Sequence, residues 1–84
     1  PIFFAEEKAS TSSKLSSVYY QFGDFRQSLR YSQIAARYFP NHVIYLRQLG
    51  DAYLGTKQLA EAQKVYTRMI NLAAIKKDQR ILAE

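Results

Sequence analysis

The only histidine, His42, stands alone in the turn Pro40-Asn41-His42. Acid–base or nucleophilic chemistry would need a hydroxyl beside the imidazole and a carboxylate behind it. Serines are many, yet none forms such a partnership with His42 and an aspartate. His42 therefore reads as a surface residue or a weak helix cap. Asp51 has no second acid at a spacing suited to acid–base work. The chain has no cysteine, which excludes a disulfide framework and a thiolate metal site. Its 3 glycines form no phosphate-cradling loop. An intrinsic enzyme activity, a cofactor and a metal are not expected.

The remaining chemistry is charge. Twelve basic residues against seven acidic ones give a net charge of +5, which raises the question of an acidic partner. Arg26, Arg30 and Arg37 could contact phosphates, so a nucleic-acid-associated module is an open alternative. No interleaving of aromatic and basic residues accompanies them, and Tyr31 and Tyr38 are expected to pack. Lys76-Lys77 is the only adjacent basic pair. Charge this scattered predicts a solvated surface and no nucleic acid. The longest apolar runs are a few residues, so no membrane span is expected. The opening Pro1-Ile2-Phe3-Phe4-Ala5 is too short for a signal-peptide core, and the compartment stays open.

The elements that carry these residues read as helices. Two prolines and 3 glycines in 84 residues accommodate long helices and disfavour a many-turned β fold. Residues 1–9 read as a lead-in or the end of an upstream helix. Ser10, Thr11 or Ser12 is expected to cap a first helix over about residues 10–22, with Leu15, Val18, Tyr19 and Phe22 facing inward. Gly23 stops it and Asp24 caps a second, from Phe25 to about Phe39. That helix carries a stripe of Phe25, Ser28, Leu29, Ser32, Ala35, Ala36 and Phe39. Pro40 ends it and Asn41 is expected to cap a third, Val43 to Leu54, buried through Val43, Leu46, Leu49, Gly50 and Tyr53. Gly55 and Thr56 repeat the stop and cap. A fourth helix from near Lys57 should face inward with Leu59, Ala62, Val65, Tyr66, Met69, Ile70 and Ala73. A short fifth is expected from near Lys76, with an extension of the fourth as the alternative.

Two segments 34 residues apart share one sparse code. Leu15-Ser16, Tyr19, Gly23 and Phe25 recur as Leu49-Gly50, Tyr53, Lys57 and Leu59; Ser28, Ala35, Ala36 and Tyr38 recur as Ala62, Met69, Ile70 and Leu72. A fixed period of this length marks stacked helical units, which cannot bury their apolar faces alone. Small residues such as Gly50 and Ala62 let paired helices approach, while tyrosines fill the wedge between pairs.

In this code the chain resembles the tetratricopeptide repeat family. Residues 43–76 match best, through Leu46, Leu49-Gly50, Tyr53, Leu59, Ala62 and Tyr66, departing at Met69 and Ala74 where the family has alanine and proline. Residues 10–42 match through Leu15-Ser16, Tyr19, Gly23-Asp24-Phe25, Ala35 and Pro40-Asn41, departing at Ser12, Ser28 and Ser32. Residues 77–84 would be a capping helix or tail. Non-repeat helix hairpins remain the plain alternative. The resemblance implies an all-α fold of antiparallel helix hairpins stacked as a short right-handed α-solenoid. It also implies a non-catalytic scaffold that binds a protein or peptide in a concave groove.

The first helix of each pair would line that groove, with Ser13, Ser17 and Tyr20 from one and Ile44, Arg47, Gln48, Asp51 and Leu54 from the other. Members that bind chaperone C-termini grip a carboxylate with Lys and Asn. The matching places here are Ser13, Ser17, Gln48, Asp78 and Leu82, which supply no cation, so that ligand is not expected. Two repeats are few for independent stability, which makes self-association of the array into a homo-oligomer a further reading.

Overall fold

Helix follows helix in this chain because apolar and small residues recur at steps of three and four and each break carries a turn signal. The structure, a computed structural model, describes residues 2–83, with side chains from residue 4 to residue 77. Four helices account for them: α1 (Ile2–Gln21), α2 (Phe25–Tyr38), α3 (Val43–Gly55) and α4 (Leu59–Ala83). No strand occurs among the described residues. Each helix packs on the next, and α1 also reaches α3. Two hairpins, α1–α2 and α3–α4, are thus joined through α3.

The two hairpin turns are built alike, 34 residues apart. Gly23 N–H donates to Tyr20 O at 3.0 Å and Lys57 N–H to Leu54 O at 2.9 Å. Asp24 N–H donates to Tyr19 O at 2.9 Å and Gln58 N–H to Tyr53 O at 2.8 Å. Such a turn needs a left-handed residue, and it falls at the same place in both: Gly23 at φ 81° and Lys57 at φ 64°. The expected stop at Gly55 is therefore corrected. Gly55 is the last residue of α3 and Thr56 its C-cap. What Gly55 provides is closeness, since a Cβ there would lie 2.5 Å from two ring carbons of Phe25. Asp24 caps α2 as expected, accepting from Gln27 N–H.

Three other helix boundaries differ from the sequence reading. α1 starts at Ile2 and runs through the serine tract, so residues 2–9 belong to the same helix. Serine's weak helix propensity is overridden by packing: Ala9, Ser12 and Ser16 form a buried stripe at steps of three and four. Leu15, Val18 and Phe22, expected inside, are exposed. Tyr19 is half-buried and stacks on Tyr31 with centroids 5.7 Å apart. The cap of α3 is His42, whose Nδ1 accepts from Tyr45 N–H at 3.4 Å, while Asn41 Oδ1 accepts from Arg68 at 2.7 Å. α4 continues unbroken to Ala83, so there is no fifth helix; Ala74 lets the helix run on where Pro40 stops α2. Glu84 lies outside the described residues. On α4 only Ala62 is fully buried, with Val65, Tyr66 and Met69 half-buried. Leu59, Ile70 and Ala73, expected to face inward, are exposed.

The interiors of the two hairpins solve one packing problem in two ways. In the second, Gly50 has no side chain and the Tyr66 ring lies where one would be. In the first, the period-equivalent residues are Ser16 and Ser32, so a hydroxymethyl group replaces nothing and a hydroxymethyl replaces a ring. Ser16 Oγ donates to Ser28 O at 2.9 Å and lies 3.1 Å from Ser28 Oγ, both residues being fully buried. Ser32 Oγ donates to Leu29 O at 2.9 Å. Among the described residues no buried side-chain polar atom lacks a partner. A serine-lined core is tolerable only on that condition.

Candidate functional site

The small Ser16 and Gly50 let the second helix of each hairpin approach closely, Ser28 on Ser16 and Tyr66 on Gly50, while α1 touches α3 directly. Gln48 ties the two together. Ser13 Oγ donates to Gln48 Oε1 at 2.7 Å, and Gln48 Nε2 donates to Ser17 Oγ at 3.0 Å and Ser13 O at 3.4 Å. Three of the residues selected from the sequence thus spend hydrogen-bonding capacity on one another.

Beside this bridge is a cavity of about 140 Å³. Ser17, Tyr20 and Gln21 of α1 and Arg47, Gln48 and Asp51 of α3 line it, with the buried Ser16 and Ser28. The structure therefore brings together Ser17, Tyr20, Arg47, Gln48 and Asp51, and Ser13 joins them through Gln48. Ile44 and Leu54 are exposed on α3 but do not line the cavity. Asp78 and Leu82 lie outside the residues whose side chains are described.

Asp51 is anchored from behind. Its Oδ1 accepts a hydrogen bond from the Tyr66 hydroxyl of α4. Burial pushes the Tyr66 pKa well above its ordinary value, and the bond to Asp51 and that carboxylate's charge push it the same way. Tyr66 accordingly remains a hydrogen-bond donor throughout the neutral range. Arg47, one helical turn before Asp51, makes no ion pair, and the one ion pair among the described residues is the exposed Lys64–Glu61 contact at 3.5 Å. Tyr20 meets Phe25 edge to face at 5.1 Å.

Sequence reading missed Gln21 and Tyr66. Gln21 continues the step of four from Ser13 and Ser17, a signal that was present. That Tyr66, one of the core residues, turns its hydroxyl towards Asp51 carries no sequence signature.

Chemically the cavity offers an exposed guanidinium, an anchored carboxylate, an amide, hydroxyls and a part-exposed ring. His42 is exposed at the far end of α3, stacked on Tyr45 at 3.8 Å. Among the described residues no group of three or more His, Cys, Asp or Glu could hold a metal ion. Arg26, Arg30 and Arg37 are exposed; Arg30 lies over Tyr31 at 5.8 Å, and Arg37 sits in the last turn of α2, where a cation suits the helix dipole. Tyr31 packs as expected, whereas Tyr38 is exposed. No helix among the described residues is long and apolar enough to cross a membrane. Compared with known proteins, the chain matches no family model and no curated protein.

Proposed function

We propose that this chain is a non-catalytic interaction module of the tetratricopeptide type, its hairpins stacked as a short right-handed α-solenoid, whose α1–α3 face receives a segment of a partner protein. One observation carries the reading: five side chains chosen by their position on two first helices line a single cavity, with Arg47 at its wall in no ion pair among the described residues. Arg47 would take a carboxylate or backbone carbonyl of the segment, and Asp51 would take an N–H or a basic side chain. Tyr20 would supply apolar contact at low entropic cost. The 34-residue recurrence of turn hydrogen bonds supports the repeat assignment. A chaperone C-terminus is not the expected ligand, since Ser13, Ser17 and Gln48 hold one another and offer no ammonium.

Peptides selected from a random displayed library provide the test. Binders should lose about tenfold or more in affinity to Arg47→Glu and Tyr20→Ala, and keep it with Arg30→Glu, since Arg30 of α2 does not line the cavity. Amide shifts on binding should cluster on α1 and α3. Selected peptides that bind all three variants equally, or shifts confined to α2 and α4, would dispose of the reading.

A further inference from the structure

The outer faces of α1 and α4 occupy, displaced by 34 residues, the positions of faces that meet inside the molecule. Inside, α2 crosses α3 antiparallel. Phe25 lies on Gly55, Gln33 Nε2 donates to the Tyr53 hydroxyl at 3.3 Å, and the Phe39 and Tyr45 rings are 6.3 Å apart. α3 buries Leu49 and Ala52, the latter completely. One period earlier α1 carries Leu15 and Val18 at those places, with Val18 47% and the nearby Phe22 82% exposed. One period after Phe25 and Ala36 of α2 come Leu59 and Ile70 of α4, 67% and 62% exposed. α1 thus offers what α3 covers, and α4 offers what α2 uses to cover it.

We propose that copies of this chain associate head to tail, α4 of one on α1 of the next, in the crossing that α2 makes with α3. Shifted by one period, the internal contacts put Leu59 of one copy against Gln21 of the next, Thr67 against Tyr19 and Ala73 against Thr11. Two independent observations fit this occupant. First, both helices outrun their internal counterparts at the same end of the crossing. α1 begins at Ile2 where the counterpart of Val43 is Ala9, and α4 ends at Ala83 where the counterpart of Tyr38 is Leu72. An antiparallel crossing lays these extensions side by side. Second, continuing along them from Ala73 and Thr11 sets Lys77 opposite Glu7 and Lys76 opposite Lys8, with Glu6 one residue beyond. All are exposed, so two carboxylates and one ammonium of α1 meet two ammoniums of α4 and attraction outweighs repulsion. A groove of about 510 Å³ that includes Phe4, Leu15, Ile34 and Tyr38 extends the apolar band of α1 on this side. Because the two faces differ, each added copy leaves a free end, and growth does not stop at a dimer.

Sedimentation velocity of the whole chain from about 10 µM to about 1 mM is the test. The mean mass should climb past that of a dimer with concentration and fall with added salt. Val18→Glu and Ile70→Glu alter exposed positions, so circular dichroism should show the helical content of the parent. Each should be monomeric alone. Mixed, they should form a one-to-one pair and nothing larger, since one intact α1 face and one intact α4 face remain. Glu6→Lys with Glu7→Lys should weaken association about tenfold, and adding Lys76→Glu with Lys77→Glu should restore it. A parent chain that stays monomeric throughout, a single-face variant that associates by itself, a mixture that stays monomeric, or charge reversal without effect would each overturn the proposal.

Discussion

A methyl group placed on Gly50 should destabilise the fold even though alanine is the better helix former. A Cβ at that position would lie 2.6 Å from Cε1, 2.9 Å from Cζ and 3.0 Å from Cδ1 of Tyr66. Carbon atoms pack comfortably at about 3.5–4.0 Å, so the ring must retreat by roughly an ångström. It cannot do so freely, because its hydroxyl is bonded to Asp51 on the same helix as Gly50. Either that bond is lost or α4 backs away from α3 and loosens the contact at Ala62. Overpacking of this kind costs about 1–3 kcal/mol, and the gain in helix propensity returns about 1 kcal/mol. The net loss is up to about 2 kcal/mol. For a chain of this size each kcal/mol is worth about 4–8 °C in melting temperature. Gly50→Leu should be among the worst single changes. Thermal and urea unfolding followed by circular dichroism, on Gly50→Ala, Tyr66→Ala and the double variant, isolates the cause. With Tyr66 truncated, Gly50→Ala should become neutral or stabilising by up to about 1 kcal/mol. A Gly50→Ala protein that melts at or above the parent temperature with Tyr66 in place would refute the reasoning.

The remaining expectations concern the turns, the serine core and alkaline pH. Gly23→Ala should cost about 1–2 kcal/mol through conformation alone, since nothing lies within 4 Å of the added carbon. Lys57→Gly, at the same place in the second turn, should stabilise by up to about 1 kcal/mol; urea midpoints that move in the same direction would contradict the shared left-handed geometry. Ser16→Ala should cost about 1–2 kcal/mol because it strands Ser28 Oγ, whereas Ser28→Ala should cost less because Ser16 still donates to Ser28 O. Equal losses in unfolding free energy would count against that pairing. Tyr66 has a folded pKa raised above its ordinary value of 10.0, so above that pH the unfolded chain releases a proton that the folded chain retains. Stability should be insensitive to this group below about pH 10 and fall as pH rises from there towards the folded pKa. Urea unfolding across the alkaline range should show that fall in the parent and less of it in Asp51→Asn; identical profiles would remove the coupling.

Most of the fold was legible because steps of three and four and turn residues are local signals. What escaped depended on partners distant in sequence. Gly23 and Lys57 were paired by the period, yet the conformational preference of glycine drew the expected stop to Gly55. That residue is small for another reason, the Phe25 ring pressed against it. The inward face of α1 was misjudged because serine does not register as apolar. Ser12 and Ser16 are buried all the same, Ser16 because Ser28 meets its hydroxyl from the next helix. The lengths of α1 and α4 were written in absences. Glu6-Glu7 and Ala74 occupy period positions where Pro40-Asn41 and Pro40 interrupt the chain, and without proline a helix has little cause to stop.

The candidate site was legible as positions but not as bonds. Helical spacing placed Arg47, Gln48 and Asp51 on one side of α3, and the cavity contains all three. Which of them is free to act is decided by side chains on other helices. Gln48 is committed to Ser13 and Ser17, and one oxygen of Asp51 to Tyr66, whereas Arg47 has no anion among the described residues. Under the proposed reading, discrimination between partner segments therefore falls mainly to Arg47 and Tyr20. The Gln48 bridge serves instead to hold α1 at a fixed distance from α3. Gln48→Ala should then act through geometry, releasing two serine hydroxyls and widening the cavity, and should weaken every selected peptide alike. Arg47→Glu should instead reorder them, penalising acidic segments and sparing basic ones. A Gln48→Ala variant that reorders the peptides as Arg47→Glu does would mean that the amide contacts the ligand directly.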